Sequence, residues 1–166
     1  MEHTFSNDEL IKLAELLAPL LTPLISQRLL KTPTFWGKSS RVSYSKSVNL
    51  VNTFFNLSSG KVVIGDNTFF GNHVSILTGT HDITQKDQDR KIAPKDGGDV
   101  IIGKGVWIAS HAVIVGPCTI GDYAVIGAGS VVLPGIYEEG CLYAGSPATY
   151  KKHINFAEPK NESDLL

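Results

Sequence analysis

A chain of 166 residues, 42% of them hydrophobic, accommodates one domain with a short appendage and an ample core. Its 15 Lys+Arg against 16 Asp+Glu leave a formal net charge of −1, and so even a mixture offers no basic face for nucleic acid. Two cysteines are too few for a disulfide framework, which points to reduced thiols and the cytosol.

The opening MEHTFSNDEL lacks the positive region and uninterrupted apolar run of a secretory signal, in keeping with a cytoplasmic location. Ser6 followed by Glu9 forms a capping box and predicts an amphipathic helix over residues 6–18. Thr22 then Pro23 reads as the N-cap and first position of a second helix over residues 22–31. The stretch is rich in leucine, but Lys12, Glu15, Pro19 and Pro23 interrupt it, which argues against a membrane span. Two short helices in residues 1–32 are therefore expected, packed on the rest of the chain or on a sister subunit in preference to docking on a membrane surface.

Residues 42–57 alternate loosely, as worn terminal repeats do. Ile64, Phe70 and Ile76 then recur every six residues, with Val62, Thr68, Val74 and Thr80, themselves six apart, filling the companion slots. After a polar excursion over residues 84–98 the same period returns in Ile102, Ile108, Ile114, Ile120, Ile126 and Val132, preceded by Val100, Val106, Ala112, Cys118, Ala124 and Ser130. Six is a whole number of strand periods of two, whereas a helix advancing 100° per residue would scatter these side chains. Each unit is thus a short inward-facing pair followed by a corner, sharpened by Gly103, Gly121 and Gly127. The pattern specifies an all-β solenoid, a hexapeptide β-helix over residues 42–148, with residues 149–166 as a tail. An unpatterned excursion of this length inside a solenoid is expected to lie beside a site.

The block VIIGKGVWIASHAVIVGPCTIGDYAVIGAGSVV, followed by YAGSPA and preceded by IGDNTFFG and ILTGTHD, resembles the hexapeptide-repeat O-acetyltransferases. The likeness is to the maltose, galactoside and nodulation-factor enzymes and to bacterial polysaccharide acetyltransferases. It covers roughly residues 42–152 and implies a left-handed parallel β-helix of triangular coils, a homotrimer with sites between subunits, and acetyl-CoA as co-substrate. The implied acceptor is a hydroxyl of a sugar or polysaccharide precursor. Handedness comes from the resemblance alone, since crossover sterics favour the right hand.

His81, in TGTHD, matches the family's catalytic histidine, and its register slot faces outward before the excursion. Imidazole titrates near neutral pH, which suits a general base that takes the acceptor's hydroxyl proton. Asp82 is positioned to orient that ring or bind acceptor, with a solvated turn aspartate as the alternative. Trp107, Ser110 and Ala128 match residues lining the pantetheine groove, although Trp107 also suits an interface aromatic. Lys152 matches a basic residue near the nucleotide end of the cofactor, Lys151 adds charge there, and a solvated tail is the competing reading. Leu133-Pro134 and Thr149 depart from the Thr-Lys and arginine common in relatives. Asn52 or Asn56 corresponds to the acceptor-side asparagine, and each also suits a structural turn. Arg90 and Lys91 in the excursion are candidates to contact acceptor or nucleotide, with solvated loop charges as the favoured reading.

A covalent route is disfavoured because Cys118 points inward and Cys141 belongs to no recognisable Cys–His motif, so direct transfer with backbone N–H groups for the oxyanion is expected. Three further readings stand beside it. Closely similar solenoids acetylate the amino group of nucleotide-linked amino sugars. His73, His81 and His111 raise a zinc site like that of β-helical carbonic anhydrases, but their spacing differs from that family's, and no metal is expected. A scaffold without catalysis is the last, since fold alone never settles function.

Overall fold

The computed structural model describes residues 5–29 and 31–158. Residues 1–4, 30 and 159–166, which include the end of the expected tail, lie outside them. The capping box forms as written: the Ser6 amide and hydroxyl donate to Glu9 Oε2 at 2.8 and 2.9 Å. Those two bonds hold the Glu9 carboxyl below its usual range.

They open a single helix, α1 (Asn7–Leu29), which runs through Pro19 and Pro23. The two separate N-terminal helices expected from the prolines are therefore one. Proline's fixed φ is helical, and each ring removes only one backbone donor. Pro19 and Pro23 fall on the polar side of the helix, where water can serve the orphaned carbonyls. The second helix of the structure lies elsewhere: α2 (Asp87–Arg90) is a single turn within the excursion.

The rest is a triangular prism with three five-stranded sheets for faces. One face stacks β1 (Thr34–Trp36), β3 (Phe54–Asn56), β6 (Ser75–Leu77), β9 (Val113–Val115) and β12 (Val131–Val132). The next stacks β2 (Val42–Ser43), β4 (Val62–Ile64), β7 (Val100–Ile102), β10 (Cys118–Ile120) and β13 (Gly135–Tyr137). The last stacks β5 (Phe69–Phe70), β8 (Trp107–Ile108), β11 (Val125–Ile126), β14 (Cys141–Ala144) and β15 (Thr149–His153). We call these the first, second and third faces. All neighbours pair parallel except β14 with β15, which is antiparallel, so the stretch expected as a tail begins as the closing strand of the third face.

Hexapeptide spacing puts equivalent residues of successive coils in register, for example Ile64, Ile102 and Ile120, and Ile76 beside Ile114. Every aliphatic of the period-six series is buried, as are its small companions. Cys118 belongs to this interior, and burial pushes its thiol up to about 12. The register fails at one place: Thr80 is exposed, and Thr78 instead closes the coil, its hydroxyl donating to the Asn56 carbonyl at 2.9 Å. The excursion thus leaves the prism one slot earlier than the repeat implies.

Corner glycines explain the tight coil stacking. A Cβ at Gly103 would stand 2.7 Å from the Asp122 amide nitrogen of the next coil, so only glycine lets the backbones approach. Ile114 has no exposed surface. Ile114→Ala should therefore cost about 2–5 kcal/mol in urea unfolding, and a loss below about 1 kcal/mol would contradict a close-packed interior.

Cys118 supplies a pH prediction. Its pKa is raised in the folded state, so its contribution is complete below the unfolded thiol's pKa and is lost as pH climbs toward about 12. Unfolding free energy should fall above roughly pH 9, and Cys118→Ala should flatten that fall. An unchanged alkaline slope in the variant would show that other groups govern it.

Candidate active site

The edge between the first and second faces carries the excursion. Beyond β6 the chain passes through Gly79 and Thr80 to His81 and Asp82, both exposed. Asn56 sits on the same edge one coil below, paired with Leu77 across the ladder. Its Oδ1 accepts from the Ser58 amide at 3.1 Å and hydroxyl at 2.8 Å. A Cβ on Gly79 would lie 2.8 Å from that same oxygen, so glycine lets the strand leading to His81 rest directly on Asn56 and Ser58.

Asp82 forms a turn of its own. Its Oδ1 accepts from the Thr84 hydroxyl at 2.7 Å and amide at 2.9 Å, and Gln85 donates to Oδ2 at 3.3 Å. These bonds, the Thr84 hydroxyl first, hold the Asp82 carboxyl below its usual range. Among the described residues no side chain hydrogen-bonds the His81 ring. The loop beyond is braced by Arg90, whose Nε donates to the Gln85 carbonyl at 2.7 Å and whose Nη2 donates to that of Ile83. Lys91 is exposed. The loop returns to the prism where the Gly98 amide donates to the Ser59 carbonyl at 2.8 Å.

Trp107 lies outward on the third face, stacked on Phe69 with ring centroids 5.9 Å apart and planes 14° from parallel. Ser110 and Ala128 occupy the neighbouring edge, between the third and first faces, on consecutive coils joined by the Gly129 amide donating to the Ser110 carbonyl at 3.0 Å. The Ser110 hydroxyl accepts from the Asn72 amide at 3.0 Å. Lys152 pairs with Leu142, and Val125 links Leu142 to Trp107, which puts Lys152 three strands along the same face, about 14 Å away. Lys151 is beside it, donating to the Thr149 hydroxyl at 3.0 Å.

One prism therefore gathers Asn56, His81 and Asp82 on one edge and Trp107, Ser110, Ala128, Lys151 and Lys152 on another face and edge. The first face separates the two groups. Asn52 belongs with neither His81 nor Asn56: its Oδ1 accepts from the His73 amide at 2.8 Å, capping a corner residue held at φ 57°. The His73 and His111 rings stack 5.3 Å apart on that corner, while His81 stands on another edge. Among the described residues no three His, Cys, Asp or Glu side chains are grouped to hold a metal.

Sequence reasoning missed one pairing. Cys141 Sγ lies 3.5 Å from His153 Nδ1, brought there by the antiparallel register of β14 and β15. It also missed Ser58 and Gly79, which support the His81 edge. The glycine in TGTHD was their one signal.

Residues 99–134 match the family model described as bacterial transferase hexapeptide (six repeats). The chain is 34% identical over 119 residues to galactoside O-acetyltransferase of Escherichia coli, covering 68% of this chain and 57% of that one. It is 30% identical over 153 residues to a Saccharomyces cerevisiae protein named as a putative acetyltransferase, covering 92% and 76%. A solved galactoside acetyltransferase in complex with coenzyme A superposes with a TM-score of 0.58 at 29% identity, over 75% of this chain and 61% of that one. The chain thus spans little more than half the length of the Escherichia coli enzyme. It belongs to the hexapeptide-repeat acetyltransferase family, and its prism is the left-handed parallel β-helix of that family.

Proposed function

We propose that this chain transfers an acetyl group from acetyl-CoA to a hydroxyl of a sugar or polysaccharide precursor, with His81 as general base in a site shared between subunits of a homotrimer. The observation that carries the reading is the exposed His81 imidazole, with no hydrogen-bond partner among the described residues, on the loop that leaves a prism of this family. The separation of His81 from Trp107, Ser110 and Ala128 supports a shared site, because two copies set side by side can bring one prism's excursion edge against another's third face. A cyclic trimer repeats that contact and closes it.

In this mechanism the acceptor oxygen attacks the thioester carbonyl while His81 takes the hydroxyl proton. The tetrahedral oxyanion is stabilised by backbone amides of the coil corners. As the C–S bond breaks, the imidazolium passes the acceptor's proton to the departing sulfur, giving an ester and free CoA thiol. Trp107 offers an apolar plane to the pantetheine arm, and Lys151 and Lys152 offer cations to the nucleotide phosphates. Asn56 faces the acceptor with amide donors and is braced by Ser58. Cytoplasmic acetyl-CoA is the natural donor pool.

The test is a panel of sugars, polysaccharide fragments and nucleotide-linked amino sugars, read by thiol release and by mass spectrometry of the product. Ester formation on a sugar hydroxyl is the expected result. An amide on an amino sugar would replace the acceptor class, and failure to bind CoA at millimolar concentration would remove the activity.

A further inference from the structure

All the side chains of α1 from Asn7 to Arg28 are exposed, and nine of them are leucine or isoleucine. A helix with two internal prolines, each costing about 3 kcal/mol, is not stable in water with its apolar side bare. Something covers it. Leu10, Leu13, Leu17, Leu20 and Leu24 follow alternating spacings of three and four, the seam of a helix packed along another helix. At 100° per residue the aliphatic positions, from Leu16 round to Ile11, occupy about 220° of the circumference. One partner covers a narrower stripe than that, whereas two flanking helices bury such an arc.

The opposite side carries Asp8, Lys12, Glu15 and Thr22 together with Pro19 and Pro23, so both proline rings fall on the side left to solvent. The helix carries Asp8, Glu9 and Glu15 against Lys12 and Arg28. A surface helix drawn to anionic lipid needs a basic polar side, and this one is slightly acidic. Two heptads are short for an autonomous coil. Tethering three copies at one end of a trimeric prism supplies the effective concentration that length does not.

We propose that α1 helices from three copies of this chain pack as a parallel bundle at the N-terminal end of the prism, with Leu10, Leu13, Leu17, Leu20 and Leu24 as the seam. The inference rests on the trimer of the preceding section. In the full chain, Leu17→Cys under mild oxidation should give a covalent dimer on a gel run without reductant, because seam residues of parallel helices approach within disulfide reach. Glu15→Cys should not, and the native Cys118 and Cys141 are buried. The double variant Leu17→Asp/Leu20→Asp should raise the concentration at which the trimer dissociates by roughly tenfold or more.

A wild-type trimer in which Leu17→Cys fails to crosslink, or crosslinks no better than Glu15→Cys, would overturn the bundle while leaving the shared site intact. Co-sedimentation of the wild type with phosphatidylcholine–phosphatidylglycerol vesicles, lost in the double variant, would assign the leucines to lipid and overturn it equally. A wild-type mass of one subunit at all concentrations would instead remove the shared site, and the bundle with it.

Discussion

Replacing His81 by alanine is expected to lower acetyl transfer by about 10²–10⁴-fold, with the KM for acetyl-CoA changed less than about threefold. The split follows from placement. His81 is exposed on the excursion edge and braces no strand, so its loss should leave the unfolding midpoint and the trimer mass unchanged. Only the proton transfer is removed, and that interaction exists in the transition state alone. Asp82→Asn should cost far less, under about tenfold, because the carboxylate is committed to Thr84 and Gln85 rather than to the imidazole. Steady-state kinetics with thiol release decides between these. A His81→Ala enzyme as fast as its parent would remove the base, and an Asp82→Asn enzyme as slow as His81→Ala would show that the aspartate orients the ring during reaction.

The repeat was legible because its physics is one-dimensional. Each hexapeptide buries its aliphatic only against the coils above and below, so a period of six in the sequence is a stack in space. Where a residue's place depends on something other than that period, reading the chain alone failed. Pro19 and Pro23 punctuate most helices, yet here they sit four apart on one polar side, and the helix continues through them. Thr80 continued the arithmetic of the repeat, but Gly79 had already turned the chain outward, and Thr78 took the inward slot. Strand β15 has all its side chains exposed and so shows no alternation, and the contact of Cys141 with His153 follows only from the hairpin's register.

The candidate site divides along the same line. Ser110 and Ala128 lie three hexapeptides apart, so their alignment on one edge follows from counting. The distance from either to His81 does not, because the excursion interrupts the count between them. Asn52 and Asn56 looked equivalent as acceptor ligands, and four residues of separation carry them to different edges of a triangular coil. Strand alternation alone could not distinguish them.

If His81 of one subunit works against the Trp107 groove of its neighbour, two impaired variants should repair each other at low acetyl-CoA. Trp107→Ala removes an aromatic plane that is half exposed on the third face, and at low acetyl-CoA its rate should fall by about tenfold or more through a raised KM. His81→Ala abolishes the base but keeps the groove. In trimers assembled at random from equal amounts of the two, a site is competent when its histidine comes from the Trp107→Ala chain and its tryptophan from the His81→Ala chain. That combination arises at about one site in four. At low acetyl-CoA the mixture, co-expressed or refolded together, should therefore reach about a quarter of wild-type activity, carried by sites with a wild-type KM, while sites that take both residues from Trp107→Ala chains add little there. Mixing the two as preformed trimers should restore nothing, which controls for trivial contamination. A site built within one prism predicts no recovery under either protocol, since every chain then carries a broken site. A Trp107→Ala trimer that keeps the parent's rate and KM for acetyl-CoA would place the indole outside the groove, because the cofactor grip would then never have depended on it.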